Sequence, residues 1–162
     1  METLTLQKTW TDEELMSLEH PGNKCELVDG ELIMIPVGPE HEEVGATFIE
    51  NIRAYVRKHN LGFVWGSSVG YRMNEGNVRS PDVSFVSKEK LKGYKRPPKT
   101  FPNFAPDLAV EILSPSDTIE SQHQKIVEYF QNGTKLVWVV SPEEQVVFVY
   151  HSPRPDKILQ IG

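Results

Sequence analysis

The sequence predicts a mixed α/β fold with a central mixed sheet flanked by helices, on three observations. Short apolar runs bounded by turn residues indicate several β-strands. Two longer segments with apolar residues at helical spacing indicate amphipathic helices. The order of these segments, hairpin, helix, strands, helix and strands, is typical of a sheet covered by helices. The length of 162 residues predicts a single domain, 1–162, with its core at about 24–150.

The first predicted elements are a short helix and a β-hairpin. Thr11 and Glu14 have the spacing of a capping box, which predicts a helix through Leu18. In CELVDGELIMIP, two alternating apolar runs flank Asp29-Gly30, the strongest short-range signal of a hairpin.

Two amphipathic helices are predicted. The first runs from Pro39 to about His59, because Val44, Phe48 and Ile52 recur at helical spacing. The second covers roughly 118–131 and ends before a glycine. Its expected inner stripe is Ile119, His123, Ile126, Val127 and Phe130.

The other segments have β character, with two exceptions. Strands are predicted at 63–65, 69–73, 82–86, 107–113, 136–140 and 146–150. The segment from Lys88 to Lys99 is predicted as a brief helix and then an irregular loop. The tail after His151 ends on a fresh apolar run, whose structure the sequence leaves open.

Composition excludes several classes of protein. Seventeen basic against twenty-three acidic side chains give a net charge of −6, which argues against a histone-like nucleic-acid binder. The single cysteine, Cys25, excludes an internal disulfide framework and a zinc cluster of cysteines. No apolar run is long enough to span a membrane, and the first ten residues lack the pattern of a signal peptide. We therefore expect a cytoplasmic protein with no membrane partner.

Two carboxylates within apolar strands are the most informative feature. Glu111 interrupts LAV-E-IL, and Asp82 begins the strand that follows Pro81. Charged groups are almost never buried unless they are paired or bound to a metal. If the two strands are neighbours, the acids suit Mg²⁺ or Mn²⁺. The alternative is that each acid caps a loop or pairs with a lysine or arginine.

Four segments together resemble the Uma2 family, formerly a domain of unknown function, which is abundant in cyanobacteria. They are CELVDGEL, RSPDVSFV, FAPDLAVEILSPSD and KIVEYFQNGTKLVWVVSP. The resemblance runs from about Glu26 to Pro142, in the family's order. It implies the restriction endonuclease-like fold of the PD-(D/E)XK nuclease superfamily, here with an extra N-terminal hairpin.

The resemblance also implies site residues. Asp82 and Glu111 would hold the divalent metal, with the backbone carbonyl of Ile112 as a further ligand. Leu113 stands where the superfamily signature has lysine, which departs from the pattern. Lys125, on the following helix, is the expected catalytic substitute; otherwise it is a surface lysine whose stem covers apolar area.

Three further candidates carry weaker signals. Glu26, in the hairpin, either approaches the same acids or is solvated. His41 and Glu42 begin the long helix, which borders the active site in this superfamily, but an ordinary helix N-terminus explains them equally well. His123 is more typical of a core histidine than of a ligand.

The segment 88–99 is strongly basic. It holds six basic residues and one acid, a local charge of +5, so the rest of the chain carries −11. With Tyr94 at its centre, it would hold a nucleic-acid backbone near the metal, or else form a solvated loop. The basic residues are Lys88, Lys90, Lys92, Lys95, Arg96 and Lys99.

We therefore predict a metal-dependent endonuclease that acts on DNA with Mg²⁺ or Mn²⁺. One alternative is an inactive nuclease-fold protein that binds nucleic acid or protein as a regulatory module. Another is a hydrolase of a smaller phosphorylated substrate, since fold alone does not determine function. A homodimer is an expectation at family level only.

Overall fold

A six-stranded mixed sheet forms the centre of the computed structural model, which describes residues 8–18 and 24–161. One pair of neighbouring strands is parallel, and all the other neighbouring pairs are antiparallel. The predicted mixed sheet is therefore confirmed. In spatial order the strands are β10 (Pro155–Gln160), β9 (Val146–Tyr150), β8 (Leu136–Ser141), β7 (Leu108–Ile112), β6 (Val83–Ser87) and β3 (Gly62–Trp65).

Two helices cover opposite faces of this sheet, as predicted. Helix α2 (Pro39–Lys58) packs on the face to which Val110 and Ile112 of β7 point. Helix α3 (Ile119–Gln131) packs on the other face, which receives Ala109. Because side chains alternate along a strand, Glu111 lies on the α3 side as well.

The predicted inner stripe of α3 is wrong in part. Ile119 is 93% exposed and His123 is exposed, whereas Lys125 and Tyr129 are buried. The helix turns a partly polar side inward because buried charges lie beneath it. A prediction from the spacing of apolar residues assumes an apolar inner side, so it misses this one. The buried residues of α3 are Gln122, Lys125, Ile126 and Tyr129.

A second sheet of four strands lies beside the first, and the sequence did not predict it as a sheet. The predicted hairpin forms two of its strands, with Asp29 and Gly30 at positive φ in the turn. Alternation sends Cys25 and Leu27 toward the short helix α1 (Asp12–Ser17), whose capping box is present as predicted. In spatial order the strands are β2 (Glu31–Ile35), β1 (Lys24–Val28), β5 (Val78–Arg79) and β4 (Tyr71–Arg72).

Two other segments differ from expectation. The segment 88–99 contains turns and loop but no helix, because only Leu91 is buried and Gly93 adopts a positive φ of 95°. The tail, which the sequence left open, forms the exposed edge strand β10. No helix of the described residues is long and apolar enough to cross a membrane. Residues 1–7, part of the segment judged not to be a signal peptide, lie outside the described residues.

Candidate active site

Asp82 and Glu111 lie side by side at one end of the six-stranded sheet. Val83 pairs with Val110 across antiparallel strands β6 and β7, so the residues just outside that pair are also neighbours. Asp82 is 5% exposed and Glu111 is 2% exposed. The structure therefore brings together the two acids that the sequence singled out.

A lysine that the sequence analysis missed joins these two acids. The Lys24 ammonium donates to Asp82 Oδ1 at 3.1 Å and to Glu111 Oε2 at 3.2 Å. Its side chain is 5% exposed. The sequence signal that could have found it is the alternation of side chains along a strand. Lys24 precedes Glu26 by two residues, so both side chains point to the same face of β1.

Lys125 reaches the same cluster from α3. Its Nζ lies 3.6 Å from Glu111 Oε2 and 3.5 Å from Glu26 Oε2. The side chain is buried, so the alternative of a surface lysine is wrong. Leu113, at the signature position for lysine, instead packs against the core beneath α3.

Glu26 is the third carboxylate of the cluster and is only 1% exposed, so the expectation of a solvated hairpin residue is wrong. Its Oε1 accepts a hydrogen bond from the Ser80 amide at 3.0 Å, and its Oε2 accepts one from Arg79 Nη1 at 3.3 Å. Arg79 also donates to Glu128 of α3 at 2.6 Å. These contacts connect β1, β5 and α3 through buried charges.

His41 borders the acids from the first turn of α2. Its Nε2 lies 3.0 Å from the Ile112 carbonyl oxygen and 3.3 Å from Asp82 Oδ2. The Ile112 amide donates to the same Asp82 oxygen at 2.7 Å. Among the described residues, His41 Nδ1 is buried without a hydrogen-bond partner. Of the two residues singled out at this helix start, His41 is within the site.

Tyr129 fixes the remaining oxygen of Glu111. The buried phenol of Tyr129 donates to Glu111 Oε1 at 2.6 Å. Together with the contact from Lys24, this bond orients both carboxylate oxygens. No sequence signal marks Tyr129 as a site residue, because an aromatic residue on an amphipathic helix is usually a core residue.

Opposing effects of burial and charge set the pKa values in the cluster. Burial alone would raise the pKa of Asp82, but the hydrogen bond from His41 and the Lys24 ammonium lower it to about 2. Burial raises the pKa of Glu111 above its ordinary value despite the cations near it. Burial alone would lower the pKa of Lys24, but the carboxylates, Glu111 foremost, raise it. Asp82 is therefore held ionised, and Glu111 accepts a proton more readily.

The oxygen donors fit a hard divalent cation. Asp82 and Glu111 offer carboxylate oxygens, and the Ile112 carbonyl oxygen lies against the same histidine nitrogen as Asp82. Mg²⁺ prefers oxygen ligands and keeps several waters, so one or two carboxylates are enough to bind it. No group of three His, Cys, Asp or Glu side chains arranged to hold a metal occurs in the described ranges. A divalent ion at this position would therefore be held by two carboxylates and one main-chain oxygen.

A cleft of about 550 Å³ reaches the cluster from the side of the four-stranded sheet. Lys24 and Glu42 of α2 are its charged lining residues. The other polar lining comes from the serines Ser67, Ser68 and Ser80. A polar substrate group would thus approach Lys24 before it reached the acids.

The basic segment does not begin beside Asp82. Lys88 follows the opposite end of β6, six residues on, which is roughly 20 Å along an extended strand. The Lys90 ammonium donates a hydrogen bond to the Ala105 carbonyl oxygen at 2.6 Å, and the other basic residues of the segment are exposed. The C-terminal end of the segment lies near the cleft. Lys99 lines a groove together with Ser68 and Phe101, and those two residues also line the cleft.

Comparison with known proteins agrees with this architecture. The family described as "Uma2: Putative restriction endonuclease" matches residues 12–161. A crystal structure of "a putative nuclease belonging to DUF820" from Anabaena variabilis ATCC 29413 has a TM-score of 0.77 and 21% identity, and the match covers 94% of this chain and 85% of that chain. At this identity the likeness shows the fold, which is restriction endonuclease-like. No curated protein matches the chain.

Proposed function

Because the chain belongs to the Uma2 family, we propose that it is a divalent-metal-dependent endonuclease that hydrolyses phosphodiester bonds in DNA. The observation that carries the proposal is the pair of buried acids, Asp82 and Glu111, which share one cation, the Lys24 ammonium. Two buried carboxylates side by side at the end of a mixed sheet offer the oxygen ligands through which a protein binds Mg²⁺ for phosphodiester hydrolysis.

Asp82, Glu111 and the Ile112 carbonyl would hold Mg²⁺ or Mn²⁺. When bound, such an ion lowers the pKa of water and neutralises charge on a phosphate. Neighbouring residues of the chain hold these metal ligands in a fixed orientation. The Ile112 amide and His41 fix Asp82, and Tyr129 fixes Glu111. Residues held in this way lose little freedom when a ligand binds.

Lys125 takes the role of the missing signature lysine. It is held between Glu26 and Glu111 by contacts of 3.5 and 3.6 Å, so its ammonium points at the acids. A positive charge at this position stabilises negative charge that develops on the phosphate and orients the attacking water. Glu26 serves to position that lysine.

Surface charge supports DNA as the substrate. The segment 88–99 carries +5 in a chain of net charge −6, and five of its six basic side chains are exposed. Exposed lysines and arginines bind phosphates without reading the sequence of bases. Lys99 lines a groove that shares Ser68 and Phe101 with the cleft, so it is the member best placed to guide a strand toward the acids.

The test is nicking of supercoiled plasmid by the wild type and by Asp82→Ala, Glu111→Ala and Lys125→Ala, each with Mg²⁺, Mn²⁺ or EDTA. We expect metal-dependent nicking that each substitution lowers by at least about a hundredfold. Lys157→Ala serves as the control, because this lysine is exposed on β10, outside both the cluster and the basic segment. Activity that persists in the acid variants or in EDTA would contradict the proposal.

Two observations favour a second candidate, an inactive nuclease-fold protein that binds DNA or protein. Leu113 occupies the signature position for lysine, and a protein cation already bridges the two acids. Wild-type protein that binds DNA in a gel-shift assay, but cuts neither single- nor double-stranded DNA with any metal, would support this second candidate.

A further inference from the structure

Lys24 has a more specific relation to the acids than the other cations of the cluster. Among the described lysine and arginine side chains, it alone contacts both Asp82 and Glu111, at 3.1 and 3.2 Å. Lys125 contacts Glu111 and Glu26, and Arg79 contacts Glu26 and Glu128. The Lys24 ammonium therefore holds the position where one cation can serve the two acids at once.

A divalent ion on the same oxygens is incompatible with this placement. Mg²⁺ lies about 2.0–2.1 Å from its oxygen ligands, so it would come within a few ångströms of the Lys24 ammonium. Two cations at that distance in a buried site repel each other strongly. Of the two lysines near Glu111, Lys24 also contacts Asp82, whereas Lys125 does not. A metal ion shared by the two acids would therefore displace Lys24 and leave Lys125 in place.

We propose that Lys24 is an internal counter-cation that holds the metal position in the metal-free protein and is displaced when a divalent ion binds. This inference rests on the proposed function, because it takes Asp82 and Glu111 as the metal ligands. Its first consequence is that Lys24 keeps the buried acids neutralised before metal is bound. Its second is that Lys24 lowers the apparent affinity for metal, since the binding-competent state requires the ammonium to move away.

The structure provides a destination for the displaced side chain. Lys24 is the first residue of β1 and lines the cleft of about 550 Å³. The nearby hydroxyl groups of Ser67, Ser68 and Ser80 and the Glu42 carboxylate offer polar surroundings for an ammonium. A lysine side chain has a flexible four-carbon stem, so it makes this move without a change of backbone. The displaced ammonium would then add positive charge to the route by which a phosphate enters.

The experiment measures Mn²⁺ binding directly, from the loss of the free-ion signal in electron paramagnetic resonance, so it does not depend on nuclease activity. The proteins are the wild type, Lys24→Met, Lys24→Gln, Lys24→Arg and the control Lys90→Met. We expect both neutral variants to bind Mn²⁺ at least about tenfold more tightly than the wild type. Lys24→Arg keeps the charge, and Lys90 lies outside the cluster, so both of those variants should bind like the wild type.

Asp82→Asn separates this inference from the proposed function. If it abolishes Mn²⁺ binding and Lys24→Met binds no more tightly than the wild type, the inference is overturned while the metal site stands. If Mn²⁺ binding survives in Asp82→Asn, or if no protein of the set binds Mn²⁺, the proposed metal site fails and the inference fails with it. Equal tightening in Lys24→Arg would also overturn it, because charge would not be the cause.

Folding gives a second measurement. A neutral variant loses the cation that compensates two buried acids, so its melting temperature in EDTA should fall. Mn²⁺ should raise that temperature by more than it raises the wild-type value, because the metal restores the missing charge. Neutral variants that stay unfolded at every Mn²⁺ concentration would count against the proposal, since restored charge should refold them.

Discussion

The six-stranded and the four-stranded sheets contribute opposite charges to one site. The six-stranded sheet supplies the acids Asp82 and Glu111, at one end of strands β6 and β7. The four-stranded sheet supplies the cations Lys24 and Arg79, with Glu26 between them on the same side. The first sheet thus carries the proposed metal ligands. The second carries Lys24, which contacts both of those ligands, and the ion pair of Arg79 with Glu26 beside it.

This difference shows which kind of functional residue can be recognised from the sequence alone. An acid inside an apolar run, such as Glu111 in LAVEIL, breaks a strong local pattern. A cation at the end of a short strand, such as Lys24 or Arg79, breaks none, because strand ends are commonly polar. The comparison predicts that changes in the four-stranded sheet act first on stability, and that changes around the acids act first on activity.

The largest expected effect is that of Arg79→Met. The arginine is 4% exposed and donates to Glu26 and Glu128, so its removal leaves the buried Glu26 and the partly buried Glu128 without their shared cation. Breaking a buried ion pair in this way costs about 3–5 kcal/mol of unfolding free energy. Urea denaturation followed by circular dichroism measures it.

The control for this prediction is Arg53→Met, an exposed position on α2. It should change the free energy of unfolding by less than about 0.5 kcal/mol. A similar loss in both variants would remove the distinction between buried and surface cations on which the comparison depends.

Tyr129→Phe sharpens the comparison on the side of the acids. It removes the 2.6 Å hydrogen bond to Glu111 and leaves the buried ring otherwise intact. We expect a loss of about 1–3 kcal/mol in stability and of about 10- to 100-fold in plasmid nicking. Tyr55→Phe, at a tyrosine 60% exposed, should leave both unchanged. Unaltered nicking by Tyr129→Phe would show that the orientation of Glu111 does not limit the reaction.

A smaller effect concerns pH and His41. The hydrogen bond to Asp82 raises the pKa of His41 above 6.5, although burial opposes the rise. Because the folded-state pKa is the higher one, protonated His41 stabilises the protein fully below about pH 6.5, and this contribution is lost as the pH rises through the folded-state pKa. In EDTA, the difference in unfolding free energy between the wild type and His41→Gln should therefore shrink as the pH rises.

Urea denaturation at several pH values between about 5 and 9 measures that difference, with His123→Gln as the control at an exposed histidine of α3. A difference that grows with pH would contradict the assigned ion pair between His41 and Asp82.

The smallest effect on stability is expected in the basic segment. Lys92→Ala/Lys95→Ala alters exposed residues and should change the free energy of unfolding by less than about 0.5 kcal/mol. If these lysines bind DNA phosphates, the slope of log K against log salt should fall by about one for each phosphate that is no longer neutralised. The control Arg154→Ala/Lys157→Ala, on the exposed edge around β10, should keep the wild-type slope. If both double variants have the same slope, the basic segment is not the surface that binds DNA.

Local patterns of the sequence account for most of the elements. The hairpin at Asp29-Gly30 and the cap at Thr11 depend only on neighbouring residues, so both are found as predicted. The inner side of α3 was predicted poorly, since Lys125 and Tyr129 point inward only because buried charges receive them.

By itself, the sequence determined the mixed α/β class, the main helices and strands, and the unusual placement of Asp82 and Glu111 within apolar runs. Only the tertiary structure decided that Lys24 joins those acids across separations of 58 and 87 residues. It also decided that Lys125 and Tyr129 of α3 turn inward to contact Glu111. The physical reason is that hydrogen-bonding and hydropathy patterns act between near neighbours, whereas the partner of a buried charge is chosen by how sheets and helices pack.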